Sequence, residues 1–362
     1  MSTISRAGLR LLSFLGLAVA LAACGSGSDT PASTTPADTA RVNGLTTAEL
    51  PPDADGPLVV YTGRKESLVG PLVDLFTEKT GVDVEVRYAD DAALLAQMQE
   101  EGDRSPADVF WANTAGALGA AAEADLLTVL PDSFRVLPGA FVPAGGEWIP
   151  VTVRFRVLAY APSRVDSAAL PSSVTALPEA EALAGRIGWT PTYSSFQDFL
   201  TAYRIQGGNE SAAAWIAAMQ DADAQAYASN TPMLDALLAG EIDVALTNHY
   251  YVLRKRAEGA DLAYTFFTPG DPGNLALVTG AGVLDTSARQ RAARQFLSFL
   301  LTDEAQAFAV ETTREVPVIA GAPTPEDFVP FETAVEYAPR LEVERLRELD
   351  ETLRLLRDEG LL

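Results

Sequence analysis

The chain has 362 residues, more than one small hydrophobic core requires and enough for two lobes. Its 49 acidic side chains against 26 basic ones leave a formal charge of −23, which argues against nucleic acid, whose phosphates demand a basic face. An acidic surface suits a cationic cargo but also serves solubility alone, so charge does not choose the ligand. One histidine, His249, and one cysteine, Cys24, leave no material for a multi-histidine zinc site, a serine-histidine triad or an internal disulfide.

At the N-terminus, Arg6 and Arg10 precede an apolar run from Leu11 to about Ala20, followed by Leu21-Ala22-Ala23-Cys24. A basic head, a short apolar stretch and small residues before a cleavage point make a secretory signal, and the run is too short for a membrane span. Leu-Ala-Ala-Cys resembles the lipobox of bacterial lipoproteins, in which the cysteine becomes the lipidated N-terminus. Residues 1–23 are therefore expected to be a signal peptide and Cys24 the lipidation site. The body is expected to be exported, held to the membrane by its lipid on the periplasmic or extracellular face. Residues 25 to about 56 are rich in Ser, Thr, Pro, Asp and Ala. They bury too little apolar surface to offset their ordering entropy and read, with Cys24, as a flexible tether over 24–56.

From Leu58 onward short β-rich runs alternate with amphipathic stretches. Leu58 to Tyr61 reads as a strand. Leu68, Leu72, Leu75 and Phe76 then share one helical face. Val82, Val84, Val86 and Tyr88 alternate as a half-buried strand, and Ala107 to Trp111 is a further short one. Val157 to Tyr160, Arg186 to Trp189 and Ile242 to Thr247 are similar runs, each followed by a loop or helix start. Leu346, Leu349, Leu353 and Leu356 form a packing stripe on a closing helix. The alternation predicts an α/β protein with mainly parallel sheets covered by helices, and in such sheets ligands bind beyond the carboxyl ends of the strands.

Two segments at strand ends carry candidate chemistry. In Thr247-Asn248-His249-Tyr250-Tyr251 a strand runs out and Asn248 can cap the next helix. At a helix start adjacent tyrosines are only about 100° apart around the axis, so both oxygens can converge, and the helix dipole favours their ionised form. Phenolate is a hard anionic oxygen ligand suited to a hard cation. A bare Tyr-Tyr pair is also an ordinary packing element. Tyr193 follows another strand, and Ser194 or Ser195 can cap the helix carrying Phe199, Leu200 and Tyr203; hydroxyls with exposed N–H groups make an anion site. His249 reads as a supporting or surface residue rather than a ligand. Arg154 and Arg156 alternate on an entering strand, so one is expected to face a cleft, holding an anion or an interlobe ion pair.

Five stretches, VVYTGRKESLVGPLVDLFTEKTGVDVEVRY, SPADVFWAN, GWTPTYSSFQDF, ASNTPMLDALLAGEIDVALTNHYY and GDPGNLALVTGAGVL, occur in an order that resembles the ferric-ion-binding periplasmic proteins of ABC importers, the bacterial transferrins. The resemblance implies a type II periplasmic-binding-protein fold: two α/β lobes with a ligand cleft and crossover hinge strands. It places the first lobe over 57–153 and 276–322, and the second over 154–275 and 323–362. It implies Fe³⁺ as cargo, with Tyr250, Tyr251 and Tyr193 as metal ligands. Ser194, Ser195, Asn230 and Asn248 fall where the family lines a synergistic carbonate or phosphate, and one of Arg154 and Arg156 matches its anion-binding arginine. Some members add a histidine from the loop after the first strand and a glutamate after the strand near Trp111; here that loop has Arg64 and no histidine, and Asn113 replaces the glutamate. Three tyrosines fill three of about six octahedral positions, leaving the rest to anion or water oxygens, with Arg64 holding an anion. The implied partner is a membrane ABC permease, and the protein is expected to act as a monomer.

Type II binding proteins also carry polyamines, thiamine, phosphonates and oxyanions, which the fold does not distinguish. An enzyme is not expected, because no nucleophile-base pair stands at a plausible spacing.

Overall fold

The computed structural model describes residues 52–134, 141–319 and 321–362. The proposed signal peptide, Cys24 and most of the tether lie outside the described residues. Elements run β1 (Leu58–Thr62), α1 (Glu66–Thr80), β2 (Val84–Tyr88), α2 (Asp91–Glu101), β3 (Val109–Ala112), α3 (Ala115–Glu123) and β4 (Trp148–Tyr160). There follow β5 (Ile187–Trp189), α4 (Ser194–Gly207), α5 (Asn209–Asp221), β6 (Gln225–Ala226), α6 (Asn230–Ala239), β7 (Val244–Asn248), α7 (His249–Ala257) and β8 (Ala263–Thr265). The chain closes with β9 (Ala276–Val283), α8 (Gln290–Leu300), α9 (Asp303–Thr313), β10 (Val316–Pro317), α10 (Phe331–Tyr337) and α11 (Leu349–Asp358). None of the described helices is long and apolar enough to cross a membrane.

Strands line up in the order β2-β1-β3-β9-β4-β7-β5-β6. The apolar strand β1 pairs in parallel with β2 and β3, and β9 runs antiparallel between β3 and β4. On the other side β5 pairs in parallel with β6 and β7. The strand β4 belongs to both halves: Trp148 to Phe155 lie against β9, whereas Arg156 to Tyr160 lie against β7. Sequence patterning marks residues 157–160 as a run and puts Arg154 and Arg156 on an entering strand, but it misses the earlier part, where Pro150 stands beside a break in register.

Each half-sheet has its own aromatic core. Phe76 of α1 meets Phe296 edge-on at 5.0 Å, with Phe299 at 5.4 Å. In the other half Trp189, Phe196, Phe199 and Trp215 pack with centroids between 5.3 and 6.3 Å. These fix α4 and α5 against β5 by burying large apolar faces. The C-terminal segment touches both halves. Leu346 is buried, with its carbonyl where a Cβ on Gly116 of α3 would stand, and Thr352 of α11 hydrogen-bonds Thr201 of α4 at 2.7 Å.

The tether ends earlier than its composition implies. The carboxylate of Asp53 accepts from the N–H groups of Arg291 and Ala292, both at 2.9 Å, and Ala54 donates to the Ala288 carbonyl. The first turn of α8 lacks a side-chain cap of its own, so a distant aspartate satisfies its donors and dipole. Residues 53–55 are thus part of the folded body, a contact that a local compositional reading has no means to anticipate.

Candidate metal centre

The carboxyl ends of β5 and β7 and the starts of α4, α6 and α7 bring the candidate residues together. Tyr193 occupies the N-cap position of α4, and its hydroxyl lies 3.0 Å from that of Tyr251. The rings of Tyr250 and Tyr251 stack with centroids 4.1 Å apart at 30°. Adjacent residues achieve this because both lie in the first turn of α7, as anticipated for a helix start.

The expected caps work differently. Ser194 and Ser195 lie inside the first turn of α4, after the N-cap, and neither caps it. Ser194 is exposed, whereas buried Ser195 accepts from Arg156 Nη1 at 3.5 Å. Asn248 holds the N-cap position of α7, yet its Oδ1 accepts from Arg156 Nη1 at 3.3 Å instead of from the helix. Its Nδ2 is buried without a partner, as are Asn230 Nδ2 and Thr190 Oγ1. Asn230 keeps its Oδ1 for the Thr247 hydroxyl at 3.0 Å, which points the unused amide donor away from the strand.

Arg154 and Arg156, two apart on β4, project from the same side of the strand and are both buried. Sequence reasoning expects only one of them inward. Arg156 is anchored through Nη2 to the Leu246 carbonyl at 3.1 Å and lies over the Phe199 ring at 5.5 Å. Burial lowers its pKa to about 9. Arg154 donates to the Asn113 side chain at 3.2 Å and also to the Asn113 carbonyl, and its Nε has no partner. Burial opposes its charge, but Glu315, Tyr250, Tyr193 and Asp198 outweigh this and hold its pKa above the usual value.

Arg64, after β1, is likewise buried. It donates to Asn113 Oδ1 at 3.1 Å and to Glu315 Oε1 at 2.8 Å, leaving Nε unpartnered. Glu315 is wholly buried, yet Arg64, Arg154 and the Thr152 hydroxyl overcome the burial and lower its pKa. Breaking one side of such a buried pair leaves an uncompensated charge. Glu315→Gln is expected to destabilise the protein by about 3–5 kcal/mol, measured as the loss in urea-unfolding free energy.

Burial raises the pKa of all three tyrosines: Tyr250 is pushed up to about 12, and Tyr193 and Tyr251 higher, Tyr193 also by its contact with Tyr251 and Tyr251 by the neighbouring Tyr250. Two aspartates complete the surroundings, half-buried Asp91 and buried Asp198. Asp91 accepts from the N–H groups of Asn113 at 3.0 Å and Thr114 at 3.1 Å; burial brings it to about 6 against those donors. Gly63 makes room for it, since a Cβ there would lie 1.7 Å from Asp91 Oδ1. Asp198 has an Oδ2 without a partner, and burial raises it to about 7 although Arg154 and Arg156 face it. Among the described residues no three His, Cys, Asp or Glu side chains gather as a metal site.

A family model for bacterial extracellular solute-binding proteins matches residues 72–337. The chain belongs to this family. The major ferric iron-binding protein of Neisseria meningitidis serogroup B is 31% identical over 324 residues, covering 87% of this chain and 96% of that one. The Fe(3+)-binding periplasmic protein of Serratia marcescens is 30% identical over 315 residues, 85% and 92% of the two chains. Iron-bound HitA from Pseudomonas aeruginosa superposes with a TM-score of 0.77 at 33% identity, covering 84% of this solute-binding protein and 99% of HitA. The fold is thus the type II periplasmic-binding-protein fold, with β4 as a crossover between its two α/β lobes.

Glu315, Asp91 and Asp198 were not singled out from the sequence. Asp91 stands in Asp90-Asp91 before a helix, indistinguishable from ordinary acidic residues of a first turn. Asp198 is legible in principle, as a carboxylate inside the apolar stripe of Phe196, Phe199 and Leu200. So is Glu315, which immediately precedes the buried run Val316 to Val318.

Proposed function

We propose that this solute-binding protein captures ferric iron through the phenolates of Tyr193, Tyr250 and Tyr251 and delivers it to an ABC permease. The observation that carries the reading is the 3.0 Å approach of the Tyr193 and Tyr251 hydroxyls beside the stacked Tyr250, three hard oxygen donors from two helix starts. A carbonate or phosphate completes the coordination. The unpartnered Asn230, Asn248 and Arg154 donors, with Ser194 and Ser195, supply its hydrogen bonds, and Arg64 and Arg156 supply positive charge. The ferric-binding relatives support iron as the cargo. The lobes comprise 57–153 with 276–322 and 154–275 with 323–362, closing on the ion; Cys24 carries the lipid and the protein works as a monomer.

Titrating the metal-free protein with chelated Fe³⁺, with and without bicarbonate or phosphate, tests the reading. A visible phenolate-to-iron charge-transfer band saturating near one ion per chain is the expected result; absence of the band under every condition overturns it. The second reading is an oxyanionic solute held without metal, favoured by the same unpartnered donors. Thermal stabilisation by phosphate or a phosphonate in the absence of iron, with no visible band, selects it.

A further inference from the structure

His249 directly precedes the tyrosine pair and is fully buried, and its ring contacts β4, the residue after α9 and Phe328. Its Nδ1 accepts from the backbone N–H of Phe155, where β4 passes from one half-sheet to the other, at 3.0 Å. Its Nε2 lies 3.0 Å from the carbonyl of Arg314. An N–H can only donate and a carbonyl only accept, so the ring is neutral with its proton on Nε2. The Phe328 ring covers it at 4.4 Å. Arg314 has a left-handed backbone, φ +61°, at the end of α9, and the next residue is the Glu315 that holds Arg64. One imidazole therefore touches the crossover strand, the end of α9 and the returning loop, while its own backbone opens the helix bearing Tyr250 and Tyr251.

We infer that His249 is the positioning residue that ties the paired tyrosines to the hinge, so that the hinge strands set where the two phenolic oxygens stand. The inference rests on the phenolate reading above. Two fixed hydrogen bonds and a covering ring remove the freedom of α7 to rotate about its own axis. Rotation would carry the two hydroxyls away from Tyr193, because they project about 100° apart from one turn. A partner that orients ligands without touching the metal is typically worth about 10–100-fold in metal affinity.

The test uses full-length metal-free protein and its variants His249→Phe, His249→Asn and His249→Gln. Asparagine retains an acceptor for Phe155 N–H and glutamine a donor for the Arg314 carbonyl, so they separate the two bonds and serve if the phenylalanine variant does not fold. Phe76→Leu, in the first aromatic core, controls for destabilisation alone. The readouts are the position and intensity of the iron-phenolate band and the rate at which a chelator strips the iron. The expected result is a shifted, weaker band and roughly 10–100-fold faster loss in His249→Phe, partial recovery in the other two variants, and a wild-type band in Phe76→Leu. His249 variants that lower the melting temperature but keep the wild-type band and stripping rate overturn the inference alone. A wild-type protein with no band overturns the phenolate reading, and this inference with it.

Discussion

Changing Tyr193, Tyr250 and Tyr251 together to phenylalanine is expected to remove ferric-ion binding while leaving the fold intact. Each substitution deletes one oxygen and preserves the ring that packs, so the stacking of residues 250 and 251 survives. The metal-free protein is expected to change little in stability, because each substitution removes at most one partly buried hydrogen bond and keeps the packed ring. Affinity is expected to fall by more than the roughly 100-fold associated with losing a mere orienting partner, since on the proposed ligation the groups lost are the anionic donors themselves. Competition against a chelator of known affinity measures the loss. Single variants rank the ligands: Tyr193→Phe and Tyr251→Phe each also sever the 3.0 Å contact between their hydroxyls, so each is expected to cost more than Tyr250→Phe.

With the proposed phenolate ligation, iron affinity is expected to rise steeply with pH. Burial lifts all three phenols above their ordinary value, Tyr250 to about 12 and the other two further, so each carries its proton in the metal-free protein at neutral pH. The ion must displace one proton per phenolate formed. Three displaced protons make the apparent affinity climb by up to about a thousandfold per pH unit below the tyrosine pKa values, and acid drives release. Calorimetry in buffers of different ionisation enthalpy counts these protons, and a single tyrosine-to-phenylalanine variant that still binds is expected to release one fewer. A slope near zero in the wild type excludes phenolate ligation. The same burial that excludes water from the site thus makes the metal-free site reluctant to ionise and the loaded site sensitive to protons.

The strand-end logic was enough to place Tyr193, Tyr250, Tyr251, Asn248 and Ser195 at one site, because β-to-α junctions are visible in patterning and point to the same end of the sheet. The partners that give those residues their surroundings were less legible. Arg64 meets Glu315, and His249 meets Phe155 and Arg314, through contacts between segments far apart in the chain, which no local period encodes. The long β4 was underread in its earlier part, where Pro150 stands beside a break in register. Capping followed the same rule. Ser195 and Asn248 look like helix caps by position, and they instead accept from Arg156, an arrangement visible only once β4 lies beside β7.

The order of strands also bears on how the molecule comes into being. The strand β3 has β1 on one flank and β9 on the other, with Val109 opposite Val283. As the chain emerges from the ribosome, the first half-sheet has β1, β2 and β3 ready long before β9 exists. At ~5–20 residues per second that interval is on the order of ten seconds. Wherever the exported body folds, β3 has an unpaired edge until β9 joins it, and the N-terminal half cannot finish its own core. Completion must await a closure between distant segments, which makes non-local strand pairing, rather than helix formation, the slow event in this protein's folding.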